Sequence, residues 1–213
     1  MPKFAVLIGD LVESRQIEDR AEAQRELRRL LEEKNQKYGE SSFAPLQLVR
    51  GDEFEGGFTD GAVPYQVFME VARALHPIRL RGGIGFGAVD TDFGPSVTGM
   101  DGTAFHRARE AIEKAQENRT DLAVKSGEES ADKVINTILS LLFVLKEDWT
   151  KRQLEIINYY RERNDSTHKS VADHFGISQP AVSRIFERAQ FEVILEAEEV
   201  VKDQLSERVN RGD

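Results

Sequence analysis

The chain contains no cysteine, and that absence removes disulfides, thiolate zinc centres and cysteine nucleophiles from consideration. It also lacks a long hydrophobic run. The longest, residues 138–145, is interrupted by Ser140 and is too short to span a bilayer. Met1-Pro2-Lys3-Phe4 runs straight into an apolar segment, without the hydrophobic stretch and small-residue cleavage site of a signal peptide. These features predict a cytoplasmic protein with no membrane association. A surplus of positive charge is missing too. The formal net charge of -9 argues against a protein that coats nucleic acid non-specifically, because phosphate neutralisation needs a basic surface.

What is present fits a folded chain. The 213 residues suffice for one large domain or for a medium and a small one, and the motifs below favour two. Hydrophobic residues make up 39% and charged residues 31%, the balance of a globular protein rather than a disordered or membrane one. Charge is segregated. Residues 151–190 hold seven Lys or Arg against five Asp or Glu, whereas residues 191–213 are acidic, so a local DNA-binding face is compatible with the negative total.

Residues 4–8 form a continuous apolar run that ends at Gly9-Asp10, which reads as a buried strand delivering an acid at its C-terminal end. Residues 18–38 carry Ala23, Leu27, Leu30, Leu31 and Tyr38 at a helical period, with Gly39 as the stop. Residues 46–49 and 54–58 flank Arg50-Gly51-Asp52-Glu53 and predict a hairpin with an acidic tip. Pro64 opens a helix with Val67, Phe68, Val71, Ala72 and Leu75 on one face, closed by Pro77. Residues 78–89 read as a glycine-rich strand, close backbone approach being one use of such glycines. A helix over 104–116 and a short strand over 122–124 follow, and then a strongly apolar helix over 131–146 that joins this domain to the next. This succession predicts an α+β or α/β sandwich rather than a barrel.

The last third has a different period. Thr150-Lys-Arg-Gln153 has the form of a capping box and opens a helix with Leu154, Ile157 and Tyr160 inward. The next helix holds Val171, Ala172 and Phe175, Gly176 supplies a positive φ for a sharp turn, and Ile177 plugs the corner. Ser178 caps a third helix over 179–190, with Pro180 in its first turn and Val182, Ile185 and Phe186 facing the core. That pattern predicts a helix-turn-helix in which Ser178, Gln179, Ser183, Arg184 and Arg188 meet double-stranded DNA. An ordinary three-helix corner with a solvated polar face is the competing reading. The tail has Ile194, Ala197, Val201, Leu205 and Val209 at helical spacing opposite an acidic face. It either packs on its own domain or pairs with a second copy, since helix-turn-helix proteins usually read paired half-sites as homodimers.

Asp10, at the end of the first strand, and Asp52, at the hairpin tip, are placed as paired carboxylates that a hard divalent cation needs, and Mg²⁺ so held clamps nucleotide phosphates. Acids at strand ends and turn tips are also commonly just solvated. Gly9-Asp10-Leu-Val-Glu-Ser14-Arg15, the hairpin Gly51-Asp52-Glu53-Phe54-Glu55-Gly56 and Arg81-Gly-Gly-Ile-Gly-Phe-Gly87 together resemble the SatD family, whose members often carry a helix-turn-helix. More distantly, the same motifs resemble the palm domains of class III nucleotide cyclases and diguanylate cyclases. That resemblance implies an α+β fold, a ferredoxin-like or palm-type βααββαβ sandwich followed by an all-α helix-turn-helix domain. It also implies metal ligation by Asp10, Asp52 and Glu53, and nucleotide contacts from Ser14, Arg15, Arg81 and Gly85. Two further positions differ from the class III pattern: where an Asn and an Arg are usual, this chain has His106 and Glu110. In the hairpin, Arg50 stands in place of the first Gly of the diguanylate cyclase signature.

The resulting domain bounds are 1–127 for the palm-like domain, 128–148 for a linking apolar helix, 149–190 for the helix-turn-helix and 191–213 for an acidic C-terminal helix that can serve dimerisation. The functional expectation is a DNA-binding regulator whose palm-like domain binds a nucleotide with Mg²⁺. The alternative is a metal-dependent nucleotidyltransferase or nucleotide cyclase targeted by its helix-turn-helix. A third reading has the palm-like domain serving only dimerisation.

Overall fold

The computed structural model describes residues 3–94, 96–163 and 165–210. They fall into two compact units, one made of Met1–Leu139 with Val201–Asp213 and the other of Ser140–Val200. The first unit begins with strand β1 (Phe4–Leu11) and helix α1 (Arg20–Tyr38), followed by the hairpin strands β2 (Ser42–Arg50) and β3 (Glu53–Phe58). Helix α2 (Val63–Leu75), strand β4 (Leu80–Gly87), helix α3 (Thr103–Asn118) and strand β5 (Leu122–Lys125) complete the α+β part. The sheet order is β2-β3-β1-β4-β5. β1 runs antiparallel to both β3 and β4, and only β5 lies parallel to its neighbour β4.

This corrects the βααββαβ order. A single helix joins β1 to β2 and the next helix follows the hairpin, giving βαββαβαβ. The physical reason is local: after α1 ends at Gly39, residues 42–50 are taken up by pairing with β3, and Pro64 starts the second helix only after that hairpin is closed.

β1 is central, and Ala5, Val6, Leu7 and Ile8 are all buried because helices cover both faces. Asp19 caps α1 by accepting from the Glu22 backbone N–H, and its buried face is Ala23, Leu27, Leu30 and Leu31. α1 and α2 pack on one side of the sheet. On the other side Val6 and Ile8 pack against Ala104, Phe105, Ala108 and Ile112 of α3. α3 sits unusually close to β4. A Cβ added to Gly83 or Gly85 would overlap the backbone of Ala108, and at Gly85 that of Ala104 as well, so the glycines set the helix-to-sheet distance.

Helix α4 (Glu129–Glu147) and helix α8 (Phe191–Asn210) each have residues in both units. Between them lie α5 (Lys151–Arg161), α6 (His168–Phe175) and α7 (Gln179–Arg188). Thr150 and Gln153 form both halves of a capping box at the start of α5. Gly176, at φ 63°, ends α6, and Ser178 accepts from the Ala181 N–H to cap α7. The core of this second unit is Ile156, Ile157, Val171, Ala172, Val182, Phe186, Ala189 and Phe191. In α5 the fully buried residues are Ile156 and Ile157, while Leu154 and Tyr160 are half-buried. α7 ends at Arg188 rather than at residue 190, because Ala189 and Gln190 form a turn with Gln190 at positive φ. Among the described residues no helix is long and apolar enough to cross a membrane.

Candidate functional site

Alternation along β1 carries Asp10 onto the same face as Val6 and Ile8, the face that α3 covers. The ladder fixes its neighbours: Asp10 stands opposite Arg81 on β4, and Gly9 stands opposite Phe54 on β3, which puts Glu53 at the same end of the sheet. Asp52 occupies the turn between β2 and β3. The sequence-predicted acids thus share one end of three adjacent strands.

They do not converge on a common point. Arg81 Nη2 donates to Asp10 Oδ2 at 2.7 Å, and Arg20 Nη2, from the first residue of α1, donates to Asp52 Oδ1 at 3.0 Å. Arg109, reaching down from α3, pairs with Glu53 at 3.0 Å and with Glu55 at 2.5 Å. Every one of these carboxylates therefore faces a guanidinium, and among the described residues no three His, Asp or Glu are grouped to hold a metal ion. The donor set has the hard oxygen chemistry that Mg²⁺ prefers, but its geometry, with each acid turned to its own arginine, does not fit the ion. Asp10 Oδ1 and Arg81 Nε are both buried with no hydrogen-bond partner among the described residues. Glu55 is nearly fully buried. Burial pushes its carboxyl up from the ordinary value, and the Glu53 charge adds to that, against the opposing pull of Arg109.

The residues implied for nucleotide contact are spread out. Ser14 and Arg15 lie in a single 3-10 turn, Ser14–Gln16, just after β1, with Ser14 half-buried and Arg15 exposed. Arg81 is the partner of Asp10. Gly85 faces α3, and the space a side chain would occupy there is filled by the helix backbone rather than open to a ligand. His106 meets Asp101 at 3.1 Å, and Glu110 pairs with Lys125. Arg109 and Glu55 belong to the polar end of the sheet, and it is their pairing that sequence does not reveal, because the two are 54 positions apart and only the close docking of α3 on the glycine-bearing strand unites them. A shallow groove between α1 and β2, lined by Arg28, Leu31, Glu32, Leu46, Gln47 and Leu48, contains none of these residues.

In the second unit, Ser178, Gln179, Ser183, Arg184 and Arg188 are all exposed, while Val182 and Phe186 of the same helix are buried. Ser183 Oγ lies 3.0 Å from His168 Nδ1 and donates to the Gln179 carbonyl at 3.3 Å. The buried polar cluster of this unit, absent from the sequence reading, is Glu198. It accepts from Lys146 Nζ at 2.6 Å and from Arg161 Nη1 at 2.9 Å, and the Arg161 guanidinium lies over the Phe191 ring. Burial disfavours the ionised carboxyl, but the charges of Lys146 and Arg161 outweigh it and hold the group below its ordinary value.

Several solved structures match part of the chain, three of them as follows. Two are structures of a bacterial light-regulated adenylyl cyclase, each 15% identical with TM-score 0.43 over 58% of this chain, covering 75% of one chain and 43% of the other. The third is the catalytic core of a rhodopsin-guanylyl cyclase with converted specificity in complex with ATPαS, 15% identical with TM-score 0.34, over 51% of this chain and 70% of that one. No protein of curated function matches the sequence. The SatD family model matches residues 4–205, nearly the whole chain, and the protein therefore belongs to the SatD family.

Proposed function

We propose that this SatD protein is a DNA-binding regulator with a nucleotide-binding first unit. The observation that carries the DNA reading is the division of α7: one face supplies Val182 and Phe186 to the core, and the other leaves Gln179, Ser183, Arg184 and Arg188 exposed behind the Gly176 turn. That is the face a helix-turn-helix lays in the major groove, where Gln and Arg read base edges and Ser positions the phosphate. Mobility-shift assays on genomic fragments test it. The wild type is expected to retain particular fragments, and Arg184→Ala to weaken that retention about 10-fold or more with an unchanged melting temperature. Failure to retain any fragment selectively removes the DNA reading, and retention of paired half-sites at one helical turn identifies the homodimer as the binding species.

The nucleotide reading rests on the polar end of the sheet, where Asp10, Asp52 and Glu53 meet Arg81, Arg20 and Arg109. Guanidinium groups suit phosphate oxygens, and Arg15 adds an exposed cation to the turn that follows β1. The alternative reading has the same end of the sheet turning the nucleotide over, as a nucleotidyltransferase or cyclase with Mg²⁺. The strand order, which brings Asp10 and Asp52 to neighbouring strand ends, and membership of the SatD family lend more to this alternative than they lend to DNA recognition. It requires the acids to leave their arginines. Consumption of ATP or GTP by the wild type and not by Asp10→Asn supports it, and a wild type that consumes neither removes it.

A further inference from the structure

We infer that Arg81 takes the place of a divalent cation at Asp10, so that the polar end of the sheet is closed to metal and any nucleotide bound there is bound without one. The second clause rests on the nucleotide reading above. The first stands by itself.

The argument begins with register. Asp10 and Arg81 are directly opposed on β1 and β4, and opposed residues on one face hold their Cβ atoms within side-chain contact. Their 2.7 Å contact is therefore built into strand pairing and does not depend on a mobile loop. Burial adds a second constraint. The Arg81 side chain is 18% and that of Asp10 24% exposed, the Arg81 Nε has no hydrogen-bond partner among the described residues, and a guanidinium cannot shed its charge. A cation that drew Asp10 away would leave this largely covered positive charge unpaired and beside a new positive charge, which costs far more than parting an exposed pair.

Asp52 and Arg20 show the contrast. Arg20 is 45% exposed at the start of α1 and can swing into water at little cost. Asp52 is therefore a carboxylate that a ligand can free, whereas Asp10 is not. Glu53 is held by Arg109, itself 43% exposed, so Asp52 and Glu53 can be freed, and without Asp10 of the central strand those two are too few for an ion that needs several fixed oxygen ligands.

Titration of the full chain with Mn²⁺ alone, followed by the electron spin resonance of the free ion, tests the cation claim. The wild type is expected to show no saturable site below roughly millimolar Mn²⁺. Arg81→Gln should gain a site at least about 10-fold tighter, abolished again in the Asp10→Asn/Arg81→Gln double variant, while Arg81→Lys, which restores the buried cation, stays without it. A tight wild-type site removed by Asp10→Asn overturns the inference, as does an Arg81→Gln variant that gains nothing. If Arg81→Gln does not fold, the wild type and Asp10→Asn decide between them. Calorimetry with ATP and with GTP, in EDTA and in Mg²⁺, separates the two clauses. Equal binding in both agrees with the inference, and binding only in Mg²⁺ overturns it. Binding in neither removes the nucleotide reading and leaves the cation result to stand on Mn²⁺.

Discussion

A glycine against a helix and a glycine against a ligand respond differently to the same substitution. Gly85 is of the first kind, with the backbone of Ala104 and Ala108 filling its open side. Gly85→Ala is expected to destabilise the protein by about 3 kcal/mol, since neither neighbouring backbone segment can give way. Urea denaturation checks this, and an unaltered midpoint would return Gly85 to the surface of a binding site. Glu70 offers a second measurement at this scale. Burial opposes its ionisation, but Lys34, Lys37 and Tyr38 all donate to it and bring its carboxyl down to about 2. A carboxyl whose folded value is depressed adds stability that is complete above its unfolded value, about 4.3, and is lost as pH falls towards about 2. Glu70→Gln should accordingly flatten the pH dependence of stability across that window, and a slope equal to wild type would show that the three donors do not act on this carboxylate.

At the scale of the element, local chemistry was the part most open to reading in advance. Thr150 with Gln153, Ser178 ahead of α7 and Gly176 at the turn act on partners within a few positions, so spacing alone reveals them. Thr150→Ala should cost about 1 kcal/mol, visible as a lowered melting temperature of the second unit. The inward face of α5 was harder. Leu154, Ile157 and Tyr160 satisfy a helical period, yet Ile156 is the residue buried beside Ile157, because α5 meets both α6 and α7 and its buried stripe is broader than one row. The pairing of arginines with acids at the polar sheet end is illegible for another reason. Arg20 lies 32 positions from Asp52 and Arg81 71 positions from Asp10, and nothing local in a sequence links residues that only strand pairing or helix docking brings together.

On the scale of the whole molecule, Glu198 shows how a charge on an acidic helix can belong to the interior. The tail reads as an apolar stripe opposite an acidic face, and Glu198 falls beside Ala197 near the edge of that stripe. Lys146 of α4 and Arg161 of α5 both converge on it from far away in sequence. Glu198→Ala should destabilise the second unit by about 3–5 kcal/mol, as removing one member of a buried ion pair strands the others. A loss near zero by chemical denaturation would mean that Lys146 and Arg161 are satisfied by water instead.

The second unit is an interruption of the first. The chain leaves the first unit after Leu139 and returns to it at Val201, where Val201 and Leu205 are buried, Arg208 binds Glu128 at 2.6 Å, and the Leu205 carbonyl packs so closely on Gly61 that no side chain fits there. A gene truncated after residue 139 would thus not yield the first unit but an incomplete one, with Gly61 stripped of the Leu205 carbonyl and Glu128 of Arg208. Dissection needs an excision, with the ends at 139 and 201 rejoined by a linker, and evolution faces the same arithmetic: an inserted module can be exchanged or lost whole, but a chain that ends early loses part of both.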